Sequence, residues 1–371
     1  MGIFGDYSVE EFISLYKNVL AFYILFGTFV LKLLMSRKDR FVRNDKWLLI
    51  IFVCLLILLV GTRKADIGTD TGNYFNFYFI PTTTQVSNYF DVFARLKSDL
   101  LFEFLVSLSF WHRNFTVFLL MVAIVTNVAL YVFVRRFTNY SKKGSSLILF
   151  LSIASSFSFL SLEINIIRNG LSICFILLGL YSILERSVRN FIIYIVIAYL
   201  FHRTAIIPIV LITVVALTNK VKIKFYIGFY LLTILLSLAG FGFHIIPFLS
   251  ELGVQDLKNL SYSGETTYRI GFRYDFVLYN TFFLALFLKF TNWNPWDSFL
   301  IKYYILSSTV FFLNFYIPFS DRFGVYSWII IPILLFNTIN ERFPAKKIFI
   351  STIVLIGLFV INHVILYMFL S

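Results

Sequence analysis

The stretch "WLLIIFVCLLILLVG", residues 47–61, decides the fold class, and "RKADIGTDTGNYFNFY", residues 63–78, follows it directly. The first stretch is apolar throughout, as is typical of a helix inside a lipid bilayer. The second brings two basic and two acidic residues to the membrane edge among glycines, threonines and tyrosines. A charged, glycine-rich loop in that place indicates a function beyond membrane anchoring.

The composition of the whole chain agrees with the first stretch. The 371 residues are 59% hydrophobic and 14% charged, with a mean hydropathy of +0.85. A soluble domain would not combine so little charge with so much apolar surface. The sequence therefore predicts an all-α polytopic integral membrane protein, one domain over residues 1–371, with about 11–12 transmembrane or half-spanning helices.

Apolar runs long enough to cross a bilayer recur along the chain. The predicted spans are 16–36, 46–61, 115–134, 145–162, 169–184, 223–240, 276–290, 299–317, 323–340 and 348–369.

The net charge of +13 lies largely in short loops between these spans, so it does not indicate a nucleic-acid partner. By the positive-inside tendency such loops face the cytoplasm. They are 36–46, 135–143, 185–190, 219–224 and 341–347. The long loops 62–114 and 241–275 then lie outside.

The same charges set the topology of residues 191–218, an apolar segment interrupted by His202 and Arg203. A single span here would move lysine-rich loops to the wrong side of the membrane. We therefore predict a hairpin of two short helices, or a re-entrant pair, with these two residues near its tip. Irregular backbone at membrane depth is tolerated where it lines a cavity.

Positive charge at the outer ends of the spans has no such topological explanation. Arginine stays ionised, and its planar guanidinium binds phosphate oxygens in a bidentate way, so several arginines converging from different spans would suit a pyrophosphate. The alternative is that each arginine extends its charged end to the membrane interface or pairs with a neighbouring carboxylate. The candidate ligands are Arg63, Arg168, Arg203, Arg269, Arg273 and Arg322.

A catalytic base is predicted on the same side. His202 is the favoured candidate, because histidine titrates near neutral pH. Outer carboxylates are rivals, and Tyr74 is a candidate to stack on a sugar. No pair of carboxylates has a recognisable metal spacing, so the sequence requires neither a metal nor another cofactor. The rival bases are Asp66, Asp70, Glu103, Asp275 and Asp321.

These pieces, in this order, resemble the EpsG-like family of bacterial polysaccharide polymerases, the Wzy type. The resemblance runs from about residue 47 to 330 and departs from the family pattern at Asn169 and at Arg203–Thr204. The motifs that carry it are "RKADIGTDTGNYF" (63–75), "LLFEFLVSL" (100–108), "IRNG" (167–170), "FHRTAI" (201–206), "GFRYDF" (271–276) and "DRFGVY" (321–326).

The resemblance implies a GT-C-like helical fold in the bacterial plasma membrane, with outer loops forming an extracytoplasmic cavity. It implies transfer of a growing glycan from undecaprenyl pyrophosphate to the sugar of a lipid-linked repeat unit. A flippase and a chain-length regulator are the partners it implies, together with membrane lipid.

Other functions stay open on the residues alone. They are an O-antigen ligase-like transferase, a glycosyltransferase using single sugars on a lipid monophosphate, an acyltransferase, and a transporter or flippase of lipid-linked sugars. A transporter is expected to carry paired broken helices in two repeats. Only one interrupted segment, 191–218, is evident in the sequence.

Overall fold

The computed structural model describes residues 7–81, 99–109, 114–141, 144–245 and 269–365, and its regular secondary structure throughout these ranges is helical. Six helices there are long and apolar enough to cross a membrane, or seven if one bent pair counts as a span. The predicted fold class, an all-α polytopic membrane protein, is confirmed.

Sixteen α-helices are named here in chain order within these ranges. They are α1 (Val9–Leu34), α2 (Lys38–Gly61), α3 (Thr71–Tyr74), α4 (Leu100–Leu108), α5 (Phe115–Ser141), α6 (Ser146–Ala154), α7 (Phe157–Ile164), α8 (Ile167–Leu184), α9 (Val188–Phe201), α10 (Ile206–Leu217), α11 (Ile223–Leu238), α12 (Tyr274–Phe290), α13 (Pro295–Leu313), α14 (Asp321–Trp328), α15 (Ile330–Arg342) and α16 (Lys347–Val360).

The chain packs as two compact units. The first comprises residues 1–207 and 339–371, and the second comprises residues 208–338. The boundaries fall inside α10 and α15. This division does not test the predicted single membrane domain over 1–371, because one membrane domain can contain two compact units. That domain assignment therefore stays a prediction.

One predicted span, 145–162, is not a straight helix. It consists of α6 and α7, which meet at an angle of 78°. Side chains of Ser156 and Asn362 bond two of the backbone carbonyls near the bend. The Ser156 hydroxyl donates to the Ile153 carbonyl at 2.7 Å, and the Asn362 amide donates to the Ser155 carbonyl at 2.9 Å. The sequence prediction missed this break because the run carries no charge, proline or glycine that would mark it.

The helix is interrupted within 191–218 at His202, whereas the hairpin or re-entrant pair stays a prediction. Helix α9 ends at Phe201, and His202 has an extended backbone (φ −158°, ψ 122°). A short 3₁₀ turn, Arg203–Ala205, leads into α10. Pro208 lies in the first turn of α10, where a missing N–H costs no helical hydrogen bond. The side of the membrane on which this break lies stays a prediction.

Helix α8 forms the centre of the first unit. It packs against α5, α7 and α9, and nearly all of its residues are buried. Its close approach to α7 requires a glycine, because a Cβ on Gly170 would lie 2.2 Å from the Leu162 carbonyl oxygen. Arg168, in the first turn of α8, is therefore carried on a tightly fixed backbone.

Candidate active site

The loop 62–70 is held on the end of α2 by the side chain of Arg63. This guanidinium is buried and donates to the Val60 carbonyl at 2.6 Å, the Ile67 carbonyl at 3.3 Å and the Thr71 hydroxyl at 3.3 Å. Burial lowers the pKa of Arg63 to about 10, so the side chain stays charged at neutral pH. Its predicted role as a phosphate ligand is not tested, but its guanidinium organises the loop.

The same loop docks on the turn between α7 and α8. Thr71 donates through its hydroxyl to the Ile164 carbonyl at 2.5 Å, and the Thr69 N–H donates to the Asn165 side chain at 2.9 Å. Gly68 has a left-handed backbone (φ +105°), and a Cβ there would lie 2.2 Å from the Ile164 oxygen. This docking starts α3 at Thr71 and places its one aromatic residue, Tyr74, beside Arg168 of α8.

At the centre of the resulting cluster lies Asp99, a residue that the sequence prediction missed. Its Oδ2 accepts from Arg168 Nη1 at 2.6 Å and lies 3.2 Å from His202 Nδ1. Its Oδ1 accepts from the Arg203 backbone N–H at 3.0 Å. The side chains of Asp99, Arg168 and His202 are all buried. The structure thus brings two of the predicted site residues together around one carboxylate.

Aromatic side chains surround the Arg168 guanidinium. Its Cζ lies 5.6 to 5.9 Å from the ring centroids of Tyr74, Tyr78 and Phe102. These distances suit cation–π attraction, and the Tyr78 hydroxyl also accepts from Arg168 Nη1 at 3.3 Å. Tyr74 was singled out in the sequence, and the structure places it directly beside the arginine.

The electrostatics of the cluster keep its carboxylate ionised. Burial alone would raise the pKa of Asp99. The hydrogen bond from His202, the charges of His202 and Arg168, and the Arg203 N–H outweigh burial and lower this pKa to about 2. At physiological pH the group is therefore an anion that accepts hydrogen bonds and donates none.

The remaining candidates of the first unit lie around this cluster. Glu103 is half-buried, and its Oε1 accepts a hydrogen bond from the Asp99 backbone N–H at 3.4 Å. Asp70 is buried just before α3, Asp66 is exposed, and the side chain of Arg203 is exposed.

Two neighbours of Arg168 in the sequence bond elsewhere. Glu163 accepts from the Asn127 amide at 3.2 Å. Asn169 accepts from the Thr204 hydroxyl at 3.4 Å, so two positions that depart from the family pattern contact each other.

The second unit carries the other predicted arginines. Arg273 precedes α12 and forms a bidentate pair with Asp275, with Nε–Oδ1 at 3.0 Å and Nη2–Oδ2 at 2.6 Å. Its Cζ lies 4.3 Å from the centroid of the Phe276 ring. Burial alone would raise the pKa of Asp275, but the bond to Arg273 and its charge lower it.

Arg322 lies at the same end of this unit as Arg273. The Gly271 N–H donates to the Phe315 carbonyl at 2.9 Å, which ties the start of α12 to the loop before α14. Arg322 is in the first turn of α14, and its Cζ lies 4.9 Å from the Phe319 ring centroid. Arg269 is exposed in the segment just before Gly271.

In the described ranges, Asp99 and His202 bring a carboxylate and an imidazole together. No group of three His, Cys, Asp or Glu side chains there is arranged to hold a metal ion. The chemistry available in the first unit is that of a buried arginine, a histidine and an aspartate beside aromatic rings. The second unit offers Arg273, whose partner carboxylate, Asp275, is partly exposed.

Comparison with known families agrees with this inventory. The EpsG family matches residues 46–370. The chain therefore belongs to the EpsG family, a family of Wzy-like polysaccharide polymerases. Membership indicates a polysaccharide polymerase-like function with glycosyltransferase-like activity in a membrane. No curated protein and no solved structure matched the chain.

Proposed function

We propose that this protein is a polysaccharide polymerase of the bacterial plasma membrane, working on its extracytoplasmic face. The donor is a growing glycan on undecaprenyl pyrophosphate, and the acceptor is the non-reducing-end sugar of a single lipid-linked repeat unit. An acceptor hydroxyl oxygen attacks the anomeric carbon of the donor. The bond from that carbon to the pyrophosphate oxygen breaks, and undecaprenyl pyrophosphate leaves.

The observation that carries this proposal is the buried cluster of Arg168, His202 and Asp99 in a chain of this family. Cleavage of a sugar–phosphate bond builds negative charge on the departing pyrophosphate. A guanidinium that is already fixed before the reaction stabilises that charge without reorganising, and such preorganised electrostatics is commonly the largest contribution to catalysis. Arg168 is held in this way by Asp99 and by three aromatic rings.

The acceptor hydroxyl must lose its proton as the new bond forms. His202 is the residue of the cluster suited to take it, because imidazole is a base near neutral pH. Direct attack of this kind would invert the anomeric centre. Arg273 and Arg322 of the second unit are proposed to bind phosphate as well, and the reaction is proposed to need no metal.

The test uses the lipid-linked repeat unit extracted from cells in which this gene is deleted. On this proposal such cells accumulate single repeat units. The purified protein in detergent, with EDTA and without nucleotide, should convert them into a ladder of longer glycans on a gel. Arg168→Ala and Arg273→Ala should give no ladder. Arg43 is an exposed arginine near the start of α2, on the predicted cytoplasmic side, and Arg43→Ala should give the wild-type ladder.

Other outcomes would select another function. Transfer of the glycan in one step to a different lipid would favour the ligase-like reaction. Movement of the repeat unit across vesicle membranes without lengthening would indicate a flippase. Lengthening that requires a divalent cation would retain the polymerase and overturn metal independence.

A further inference from the structure

Asp99 is bonded in a way that leaves its carboxylate only one orientation. One oxygen serves both Arg168 Nη1 and His202 Nδ1, and the other accepts the Arg203 N–H. These donors come from α8, from the break after α9, and from the 3₁₀ turn. Rotation of the carboxylate would lose at least one of these contacts, so it acts as a three-point support for the cluster.

The bond to His202 also fixes the chemistry of its imidazole. An ionised carboxylate only accepts hydrogen bonds, so a neutral imidazole that bonds to it must carry its proton on Nδ1. The lone pair of that tautomer is on Nε2, the nitrogen that a general base would use. In Ser–His–Asp enzymes an aspartate on histidine Nδ1 has this effect.

We propose that Asp99 is the positioning residue of this site, which holds His202 as the Nδ1-protonated tautomer and orients Arg168 through the same carboxylate oxygen. The inference rests on the proposed function, since the Nδ1-protonated tautomer leaves the Nε2 lone pair of His202 free to act as the proposed base. Asp99 itself is unsuited to be the base, because protonation would oppose three hydrogen bonds from donors. Its 1% exposed side chain also leaves little access for a sugar.

The charged and titratable groups around Asp99 and His202 in the described ranges define what else can affect their protonation. Arg168 comes from α8, Arg203 from the 3₁₀ turn, Glu103 from α4, and Tyr78 from the π-helical turn Phe75–Phe79 after α3. Only Glu103 among them is a second carboxylate, and it bonds to the Asp99 backbone.

The first experiment reads the tautomer and does not depend on activity. Protein labelled with ¹⁵N-histidine is examined by solid-state NMR in lipid, and the His202 signals are assigned by their loss in His202→Asn. We expect His202 protonated on Nδ1 in the wild type, and a mixture or the Nε2-protonated form in Asp99→Asn. Nε2 protonation in the wild type would overturn the proposal, whatever the protein catalyses.

The second experiment measures chain growth against pH. For Asp99→Asn we expect kcat to fall on the order of 10²- to 10⁴-fold, by analogy with the same exchange in a Ser–His–Asp triad, while KM changes less. The acid limb of the rate–pH profile should move to lower pH, because the imidazolium loses its carboxylate partner. A kcat within threefold of wild type with an unshifted profile would overturn the proposal.

Two further variants separate positioning from folding. In the His202→Asn background, Asp99→Asn should reduce kcat by less than about tenfold further, because residues that act as a unit are non-additive. Equal losses of kcat in both backgrounds would overturn the link to His202.

If Asp99→Asn does not fold, Arg168→Gln is the second variant. It retains the Asp99 carboxylate, so His202 should stay protonated on Nδ1. Loss of the Nδ1-protonated form in Arg168→Gln would contradict the proposal. Absence of any ladder from the wild type would refute the proposed function and leave the NMR result to decide the role of Asp99.

Discussion

Each compact unit holds an arginine–aspartate pair, and the two pairs are built differently. In the first unit Arg168 and Asp99 are 69 residues apart, and both side chains are buried. In the second unit Arg273 and Asp275 are two residues apart, and the carboxylate side chain is 29% exposed. The first pair also holds a histidine, whereas the second is stacked on a single phenylalanine ring.

Burial and sequence separation give the two pairs different physical roles. A pair made from distant segments exists only in the folded unit and ties those segments together, so losing one member leaves a buried charge. The Arg273–Asp275 pair joins two residues of one helix start, not two distant segments. Arg273 can exchange the partly exposed Asp275 carboxylate for a phosphate at a lower cost in free energy, because water can solvate the carboxylate once it is no longer paired. We therefore propose that Arg168 is a preorganised group and that Arg273 binds phosphate by exchanging its partner.

The largest effect is expected from Arg168→Ala. By analogy with oxyanion-hole donors, chain growth should fall by about two to three orders of magnitude. Breaking a buried pair also costs about 3–5 kcal/mol of stability, because the buried Asp99 carboxylate loses its guanidinium partner. Polymer length in complemented deletion cells measures the first effect, and thermal unfolding in detergent measures the second.

A charge-balanced variant separates these two effects. Arg168→Ala combined with Asp99→Asn removes both charges, so the free energy of unfolding should recover in part while chain growth does not recover. Arg43→Ala is the matched control for loss of an arginine. Polymer of normal length from Arg168→Ala would refute the assigned role.

The next effect is expected from a comparison within the second unit. Arg273→Ala should slow chain growth by about two orders of magnitude through loss of a phosphate contact. Asp275→Asn should slow it by less than about tenfold, since a partly exposed ion pair contributes little by itself. Rates with purified lipid-linked repeat unit test both variants. If Asp275→Asn were as inactive as Arg273→Ala, Asp275 would have to be regarded as a base.

A smaller effect, on stability, is expected from Gly68→Ala. The left-handed backbone alone costs a non-glycine residue about 1–2 kcal/mol, and contact with the Ile164 oxygen adds to this. The free energy of unfolding should fall and Tyr74 should lose its place beside Arg168. Gly72→Ala is the matched control, because a Cβ there meets no atom within 4 Å. Equal stability of the two variants would contradict the docking of the loop.

Several features of the fold could be predicted because their signals are local. Apolar runs indicated the spans, and charge in the middle of one run indicated the break at His202. The bend at Ser155 could not be predicted in this way. It is supported by Asn362, which is 207 residues away in the chain.

The site shows the same limit more sharply. Arg168 and His202 stand out as charges at unusual points of apolar segments, so sequence reasoning could find them. Asp99 lies in a long loop between predicted spans, where aspartates are common, so its position in the sequence does not distinguish it. Its partners are 69 and 103 residues away, and no periodicity of the sequence relates these positions. Only the packing of α4, α8 and α9 brings them together.

The smallest effect is expected from acid. The pKa of Asp99 is about 2 in the folded chain against an ordinary 3.8. Because folding lowers this pKa, the ionised group contributes stability above about pH 4, on the order of 2 kcal/mol, and the contribution is lost as pH falls toward 2. The stability difference between wild type and Asp99→Asn should therefore shrink by about 1 kcal/mol between pH 5 and pH 3. Thermal unfolding in detergent across this range tests the sign, since the other carboxylates titrate equally in both proteins. A difference that stays constant or grows toward pH 3 would mean that Asp99 is not held as an anion, and the comparison between the buried and the half-exposed pair would lose its physical basis.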